Sequence, residues 1–534
     1  MTAQRARNAF WHAEAMKLKR GGTPRRRSFV HAFAFGSATF AATAVMSVIS
    51  AIATARLYGV NVIGQYALAY APVGTVWYLS TVQEQPALVR KLTVLAPRAP
   101  RVTALWLSVA AFSQALTTLV VLVAAAISVF MFRGPLHHPG LIAPTLTMLG
   151  GYLVLANPGW NIDTVFASFR AGPELFAVRC HQAVAFIVAA VAFRSVTPTI
   201  WGLVAALVLS YGSTLVHRAY VARRFLTPDV SRAELRAGFG ELREIVGFGL
   251  KVTPGSVASG ISSMAGTWIL GAFGPVSAVG GWSRANNISQ RLGDLNSRIV
   301  DMLLPTLVQR RADGDMIGFH RAMVDSMRYT ATILLLPAAV AGGAARGILT
   351  LLFGPGFANA SGALVWLALV PATWSILRFG SQALLAFNRP VATTALESGR
   401  MTITVALGVA LTAGYGSSGM GAAVLLACVA QAIVVLALMA RQLESPLRRL
   451  WPPRARLGVG VAFGVGFAAA HFTSLALPGT RGTLLAVLTG SAAYLICVVG
   501  LGGALPRDRQ RLTEILAGRR SAVSRRPTPT APSA

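Results

Sequence analysis

The stretch 275–311, PVSAVGGWSRANNISQRLGDLNSRIVDMLLPTLVQRR, is a polar passage in a very apolar chain, and it spaces Arg284, Arg291 and Arg298 seven residues apart. At about 100° per residue, seven steps bring a side chain back to nearly the same helical face. On a helix the three guanidiniums form one stripe, each about 10 Å above the next. Charge at membrane depth is costly and lines a watery path or an anion site. Whether this helix crosses a membrane therefore decides the fold.

Composition answers for the rest of the chain. Hydrophobic residues make up 54% and charged residues 12%, with a mean hydropathy of +0.60; a soluble domain carries about twice that charge. Apolar stretches near the spanning length of about 20 residues recur from Ala32 to Leu501, predicting an all-α polytopic membrane protein. The first follows a long basic leader without an Ala-x-Ala-like cleavage site and reads as a retained helix. The net charge of +31 would suggest nucleic acid in a soluble protein. Here the basic residues gather in alternate loops, as the positive-inside rule requires, and no basic stripe interleaved with aromatics lies outside the apolar segments. Nucleic acid is not an expected partner. A basic inner face instead attracts anionic membrane lipids and anionic lipid-linked substrates. Cys180, Cys428 and Cys497 are isolated, so neither a disulfide framework nor a metal site is indicated. There is no Gly-x4-Gly-Lys-Ser/Thr loop for ATP, and no cofactor is called for.

Spans are predicted at 32–55, 104–131, 141–163, 176–195 and 199–217. A second series follows at 246–270, 329–350, 361–385, 391–413, 419–440, 457–476 and 483–505. Two weaker candidates, 64–83 and 277–304, raise the count to about fourteen. Charge parity tests both. The leader holds Arg5, Arg7, Lys17, Lys19, Arg20, Arg25, Arg26 and Arg27, which places the N-terminus inside. If both weak segments span, the loops with Arg90, Lys91, Arg98 and Arg101, with Arg218, Arg223 and Arg224, and with Arg310, Arg311 and Arg321 fall inside too. The basic C-terminal tail follows them. Removing either span inverts the pattern from that point onward.

The chain also repeats itself at an offset of about 215–221 residues, a period to be sought before other readings. Leu57-Tyr58-Gly59 with Gly64-Gln65-Tyr66 echoes Ala272-Phe273-Gly274 with Gly280-Gly281-Trp282. Pro86-Ala87-Leu88-Val89-Arg90-Lys91 echoes Pro305-Thr306-Leu307-Val308-Gln309-Arg310, and Phe169-Arg170-Ala171-Gly172-Pro173 resembles Phe387-Asn388-Arg389-Pro390. Two six-helix halves of equal orientation would be parallel repeats with the substrate between them. The organisation predicted is a basic cytoplasmic leader (1–28), an N-terminal six-helix bundle (29–222) and a basic cytoplasmic linker (223–245). A C-terminal six-helix bundle (246–441), two extra transmembrane helices (442–505) and a basic disordered tail (506–534) complete it, with both termini inside.

The segments RLYGVNVIGQYALA, ILGAFGPVSAVGGWSRANNI, LLPTLVQRR and LLFGPGFANASGALVWLAL resemble those of the MATE-like (multidrug/oligosaccharidyl-lipid/polysaccharide) exporters. They are most similar to the polysaccharide and O-antigen flippase branch. The resemblance covers about residues 29–441 and rests on glycines and an aromatic where helices begin, a proline ending the eighth helix and a Phe-Gly before the tenth. The lipid II flippase branch carries an arginine-rich first helix. Here no arginine precedes Arg56 in that helix, and Gly64-Gln65-Tyr66-Ala67 opens the second, which favours the polysaccharide branch. The resemblance implies a polyprenyl-pyrophosphate oligosaccharide as cargo, turned between leaflets of the plasma membrane through a central cavity. It also makes H+ or Na+ and other polysaccharide-assembly membrane proteins candidate partners.

Such a cargo needs cations for its pyrophosphate, and arginine's planar fork suits phosphate oxygens best. Arg284 leads, with Asn287 nearby and no acidic residue three or four positions away. Arg291 can pair with Asp294, Asp294 with Arg298, and Arg298 with Asp301, so the inner end also reads as an internal ion-pair ladder. Arg378 is a second cavity cation. Lys251 begins the seventh helix beside Pro254 and Gly255, where it reads as a rim lysine snorkelling to water or as a cavity cation. Tyr70 and Trp77, seven residues apart, share a face that could stack on sugars. Tyr66 and Tyr78, nearer the ends, fit an interfacial belt equally well. Asp163, Asp294 and Glu84 are the ion-coupling candidates, although Asp163 can pair with Arg170. His31, His181 and His471 stand singly at span edges.

Four other readings compete, one of them a non-transporting membrane scaffold, which no motif of the sequence speaks against. A membrane polymerase or ligase would be expected to carry a sizeable catalytic outer loop, and the predicted outer loops are short. An ion-coupled drug exporter of the same superfamily would call for acidic cavities, whereas the intramembrane acids sit mostly beside arginines. A facilitator-type transporter would show a Gly-x3-Asp-x2-Gly-Arg loop, which is missing between Gln83 and Arg101. The sequence therefore reads as a transporter, not an enzyme.

Overall fold

A computed structural model describes residues 29–80, 84–250, 253–387, 389–442 and 453–501; the leader 1–28, Lys251 and the tail 506–534 lie outside the described residues. Among the described residues all regular structure is helical, as expected where lipid offers backbone groups no water. Helix α1 spans Phe29–Leu79, α2 Glu84–Leu92, α3 Pro100–Arg133, α4 Ile142–Gly151 and α5 Asn157–Ser168. Next come α6 Gly172–Val196, α7 Ile200–Ala222, α8 Arg232–Leu250, α9 Thr253–Phe273 and α10 Val276–Ala312. The last six are α11 Met316–Gly343, α12 Ala345–Phe353, α13 Ser361–Ala386, α14 Pro390–Gln442, α15 Pro453–Ala476 and α16 Thr480–Gly500.

Among the described residues nine helices are long and apolar enough to cross a membrane, or ten if α11 and α12, bent by 82°, form one span. Two of the nine, Ala41–Leu79 with 39 residues and Val391–Gln442 with 52, would extend about 58 and 78 Å against a hydrocarbon core of about 30 Å. Both are broken by a glycine. Gly59 (φ 76°, ψ 172°) and Gly416 (φ 54°, ψ −136°) adopt conformations that side chains with a Cβ rarely reach. These breaks fall between 32–55 and 64–83 and between 391–413 and 419–440, where the sequence separates spans. Large apolar side chains such as Leu119, Leu122, Phe130, Ile433 and Ile496 point outward, each more than half exposed, as helices solvated by lipid require.

The polar stretch 275–311 forms α10, one helix of 37 residues, although it falls outside the apolar spans. Pro305 does not end it. The helix runs on through it to Ala312, and Arg310 and Arg311 in its last turn favour the negative end of the dipole. The span expected at 246–270 also shifts. Most of the linker 223–245 is the charged helix α8, and the apolar helix α9 starts at Thr253, with Pro254 in its first turn where no N–H is needed. The span expected at 329–350 begins earlier, at Met316, where Asp315 caps the helix by accepting from Gly318 N at 2.7 Å.

Helix α8 is fastened outside the spans. Its Glu241 accepts from Lys91 Nζ at 2.7 Å and from Arg101 at 2.6 Å, and its Glu244 accepts from Lys91 at 2.8 Å. Burial pushes the Glu241 carboxyl up, but the bonds from Lys91 and Arg101 outweigh it and leave it below its ordinary 4.5. Burial pushes Lys91 down, yet its two glutamates leave it above its ordinary 10.5.

Contacts divide the chain between Ser283 and Arg284 into two compact units. The cut falls inside α10. Within the first unit, α1 and α10 approach so closely that a Cβ on Gly64 would strike the Val276 carbonyl and one on Gly280 would strike the Val60 carbonyl. The contact is reciprocal. Val60 and Val276 are 276 − 60 = 216 residues apart, and so are Gly64 and Gly280 at 280 − 64 = 216. Residue i touching j while the copy of i touches the copy of j is the pattern of an isologous interface. Here the two copies are the matched motifs of one chain, and small residues supply the close approach that holds helices together in lipid.

Two predictions follow from these contacts. Gly280→Val must displace backbone, so it should cost more than the about 1–3 kcal/mol of ordinary overpacking and lower the melting temperature in detergent. Gly240→Ala, with nothing within 4 Å of its Cβ, should melt like wild type; an unchanged melt for Gly280→Val contradicts the crossing. The stability that Glu241 contributes is present above pH 4.5 and is lost as pH falls through its lowered folded value. That of Lys91 is present below pH 10.5 and is lost as pH rises through its raised one. The melting difference between wild type and Glu241→Gln should therefore be flat across neutral pH and shrink at both extremes.

Candidate functional site

In the first unit, α1 presents Tyr66, Tyr70 and Trp77 on one face, at helical spacings of four and seven. Tyr66 and Tyr70 stack with ring centroids 6.0 Å apart, and the Tyr70 hydroxyl lies near that of Tyr211 of α7. Trp77 meets Trp160 of α5 edge-on and Tyr152 at 6.4 Å. Trp160 in turn lies 5.3 Å from Tyr152 and 6.4 Å from Tyr211. Tyr152 and Tyr211 are buried behind the half-buried Tyr66, Tyr70, Trp77 and Trp160. The result is an aromatic wall with hydroxyls at intervals. Tyr78 is not part of it; its ring packs against Gly260 of α9.

An irregular helix holds the wall. Between α4 and α5 the turn Tyr152–Ala156 widens to π geometry, closed by the Asn157 N–H on the Tyr152 carbonyl. Pro158 has no N–H to offer, so the regular ladder cannot continue through it. Gln114 of α3 compensates, donating to the Leu153 carbonyl at 3.0 Å and accepting from Asn157 Nδ2 at 2.9 Å. Tyr152 hydroxyl is 3.1 Å from Ser80 Oγ. Glu84, almost fully buried, stands in the first turn of α2, where the helix dipole favours a carboxylate.

Below the wall lies an ion cluster. Arg218 of α7 is fully buried and grips Asp163 with both sides of its fork, Nε to Oδ1 at 2.9 Å and Nη2 to Oδ2 at 3.1 Å. Arg218 also donates to Gln182 at 3.3 Å, and Arg179 reaches Asp163 Oδ2 at 2.8 Å. Two sequence expectations change here. Asp163 pairs with Arg218 and Arg179 instead of Arg170, whose backbone turns through a positive φ of 53° just after α5. Arg218, counted with the loop cations, is inside the bundle. His181 does not stand alone either: its Nδ1 is 3.0 Å from Nδ1 of His217.

The second unit holds the arginines. Arg284 lies over the ring of Phe353, 5.9 Å from its centroid, and Asn287 is half-buried one turn further on. Arg291 pairs with Asp294 at 2.9 Å as the spacing predicts, both side chains more than a third exposed or nearly so (34% and 40%). The Arg298 and Asp301 side chains lie outside the described residues. On α13, Arg378 stacks on Trp374 at 5.1 Å, and Trp374 packs against Gly293 of α10. Ser289 Oγ donates to the Leu367 carbonyl at 2.6 Å, fixing α10 against α13. Arg378 therefore sits on a ring that leans on the arginine helix.

Comparison with known proteins places the chain. A model of the polysaccharide biosynthesis protein family matches residues 54–361. The chain belongs to the polysaccharide biosynthesis protein family. No curated protein matches it. Among solved structures it is similar to the lipid II flippase MurJ in an inward closed conformation, at 12% identity and a TM-score of 0.66, covering 88% of this chain and 99% of that one. It is also similar to a MOP superfamily transporter from Pyrococcus furiosus, at 13% identity and a TM-score of 0.53, covering 79% and 99%. The MATE multidrug transporter DinF-BH matches at 14% identity and 0.54, covering 80% and 97%. At such identities the likeness is one of fold: this member of the polysaccharide biosynthesis family is a multi-pass membrane protein built on the fold of the MOP transporters.

Sequence reasoning named Tyr70 and Trp77 but not Tyr152, Trp160 and Tyr211, which pack with them, nor Gln114 beside the helix irregularity; it counted Arg218 as a loop cation. The one local signal was Asn157-Pro158-Gly159, which marks the helix irregularity that the wall is built around. The ion cluster can be tested by stability. Arg218→Gln leaves Asp163 buried with half its partners and should cost about 3–5 kcal/mol. Adding Asp163→Asn should restore much of the melting temperature. A double variant no more stable than Arg218→Gln contradicts the pairing.

Proposed function

We propose that this chain is a flippase that turns a polyprenyl-pyrophosphate-linked oligosaccharide from the inner to the outer leaflet of the cytoplasmic membrane, for cell-surface polysaccharide synthesis, and that it is not an enzyme. In this reading about fourteen spans leave both termini inside, and two six-helix halves alternate access to the cargo. The observation that carries it is the charge of the second unit. The described part of α10 up to Asp294 together with α13 carries three arginines, Arg284, Arg291 and Arg378, and one carboxylate, Asp294, which pairs with Arg291. That excess suits an anion and repels a small cationic drug. A guanidinium stacked on a ring presents its donors edgewise, the geometry that binds phosphate oxygens in pairs.

We assign the pyrophosphate to Arg284, Arg291 and Arg378, with Asn287 beside them, and keep Lys251 as a rim cation. Sugars are assigned to Tyr70 and Trp77, whose faces stack on the apolar side of a sugar ring while tyrosine hydroxyls bond its hydroxyls. Asp163 and Asp294, each holding a guanidinium, and the almost fully buried Glu84 are the carboxylates assigned to coupling with H+ or Na+. Lipid II carries the same kind of headgroup, and the fold is shared with its flippase. The lack of an arginine before Arg56 in the first helix and the Gly64-Gln65-Tyr66-Ala67 motif support the polysaccharide cargo instead.

The test is translocation of a lipid-linked oligosaccharide in vesicles. Loss of a charge-assisted contact is worth about 1.5–3 kcal/mol, so Arg284→Ala should slow translocation about 10–100-fold. Trp77→Ala should slow the sugar-bearing lipid more than the bare polyprenyl pyrophosphate. Wild-type rates in Arg284→Ala would remove that residue from the site, and no translocation by wild type would remove the function.

A further inference from the structure

Helix α8 sorts its side chains by charge. With Arg232 as the reference direction, Arg236, Phe239, Arg243 and Leu250 all return to within about 40° of it. All five are exposed, Phe239 at 51% and Leu250 at 55%. The acidic residues point elsewhere, with Glu234, Glu241 and Glu244 about 200°, 180° and 120° around the helix. Each is occupied on the protein side. Glu234 closes a capping box with Ser231, accepting from its N–H at 2.8 Å while Ser231 Oγ accepts from Glu234 N at 3.2 Å. Glu241 and Glu244 hold Lys91, and Glu241 holds Arg101. Arg232, Arg236 and Arg243 form no ion pair with a described residue.

The opposite face is fixed. A Cβ on Gly238 would lie 2.8 Å from the Ala104 carbonyl oxygen, and Leu242 and Ile245 join a core with Leu88, Leu92, Val102 and Leu105. The helix is thus clamped across the end of α3, where that span begins. Its free stripe mixes three guanidiniums with two large apolar side chains. Neither bulk water nor acyl chains suits both; the boundary between phosphates and acyl chains does.

We propose that this outer stripe of α8 docks anionic phospholipid headgroups of the bilayer, with Arg232, Arg236 and Arg243 on the phosphates and Phe239 and Leu250 seated just beneath. Charge complementarity selects the occupant: the stripe carries three cations and no acid. Each basic residue near an anionic surface should raise the local preference for anionic lipid about fivefold.

The test uses the full chain with Cys180, Cys428 and Cys497 replaced and a nitroxide attached at Phe239→Cys. It is reconstituted in phosphatidylcholine alone or with about one third phosphatidylglycerol. Power saturation should show more contact with oxygen, and less with a water-soluble nickel chelate, when phosphatidylglycerol is present. Ala237→Cys, on the flank of the helix, should stay open to nickel in both. Changing the three arginines to glutamine should reduce the phosphatidylglycerol effect about fivefold per residue, and high salt should weaken it. The proposal is overturned if the label at 239 meets nickel equally in both membranes, which would mean a face turned to water or a soluble partner. It is also overturned if the triple variant keeps the lipid dependence. A bimane at Leu250→Cys repeats the measurement should the label at 239 disturb folding.

Discussion

A charge or an unpaired backbone group placed among lipid tails has no water to fall back on, and the interior of this chain is organised around that constraint. Where Pro158 interrupts the backbone ladder, Gln114 arrives from another helix to take the stranded Leu153 carbonyl. Where Arg218 is fully buried, Asp163 meets it with both oxygens. Arg328 and Arg400, also buried, draw on Asp325 and Glu397 one turn away. Arg284 and Arg378 lie on aromatic rings, and Arg328 lies over Tyr329 as well as beside Asp325; a ring face steadies a guanidinium as a carboxylate does.

The same constraint explains how the two matched motifs can meet. Lipid gives helices little hydrophobic reason to associate, so contact must come from close packing. Gly64 and Gly280 remove the side chains that would hold the backbones of α1 and α10 apart. The polar helix α10 is thereby anchored at one end by a backbone contact, and further along by Ser289 and Gly293 against α13.

Much of this was legible in the sequence. Hydropathy pointed to most of the apolar helices, and the two weaker segments fall in helices as well: 64–83 lies largely within the second piece of α1, and 277–304 lies within α10, outside the apolar spans. The matched glycines pointed to a helix start that proves to be a crossing. What the sequence hid shares one cause, since periodicity records the face of a single helix and not the helix it meets. Arg218 sits near the end of α7 and reads as a loop cation until α5 brings Asp163 to it. Tyr152, Trp160 and Tyr211 look like ordinary apolar positions until three helices converge on Trp77. Helix α8 was obscured for another reason: its charges resemble a linker, and only their sorting around the axis shows a packed face.

The account stands or falls on α10 crossing the membrane with its arginines. Single cysteines at Ser277 and Gln309, at opposite ends of that helix, can be labelled in sealed vesicles with an impermeant maleimide. The account predicts that Ser277→Cys reacts only from the outer side and Gln309→Cys only from the inner side. Labelling of both from the same side would contradict it, and would return the arginine stripe to a loop.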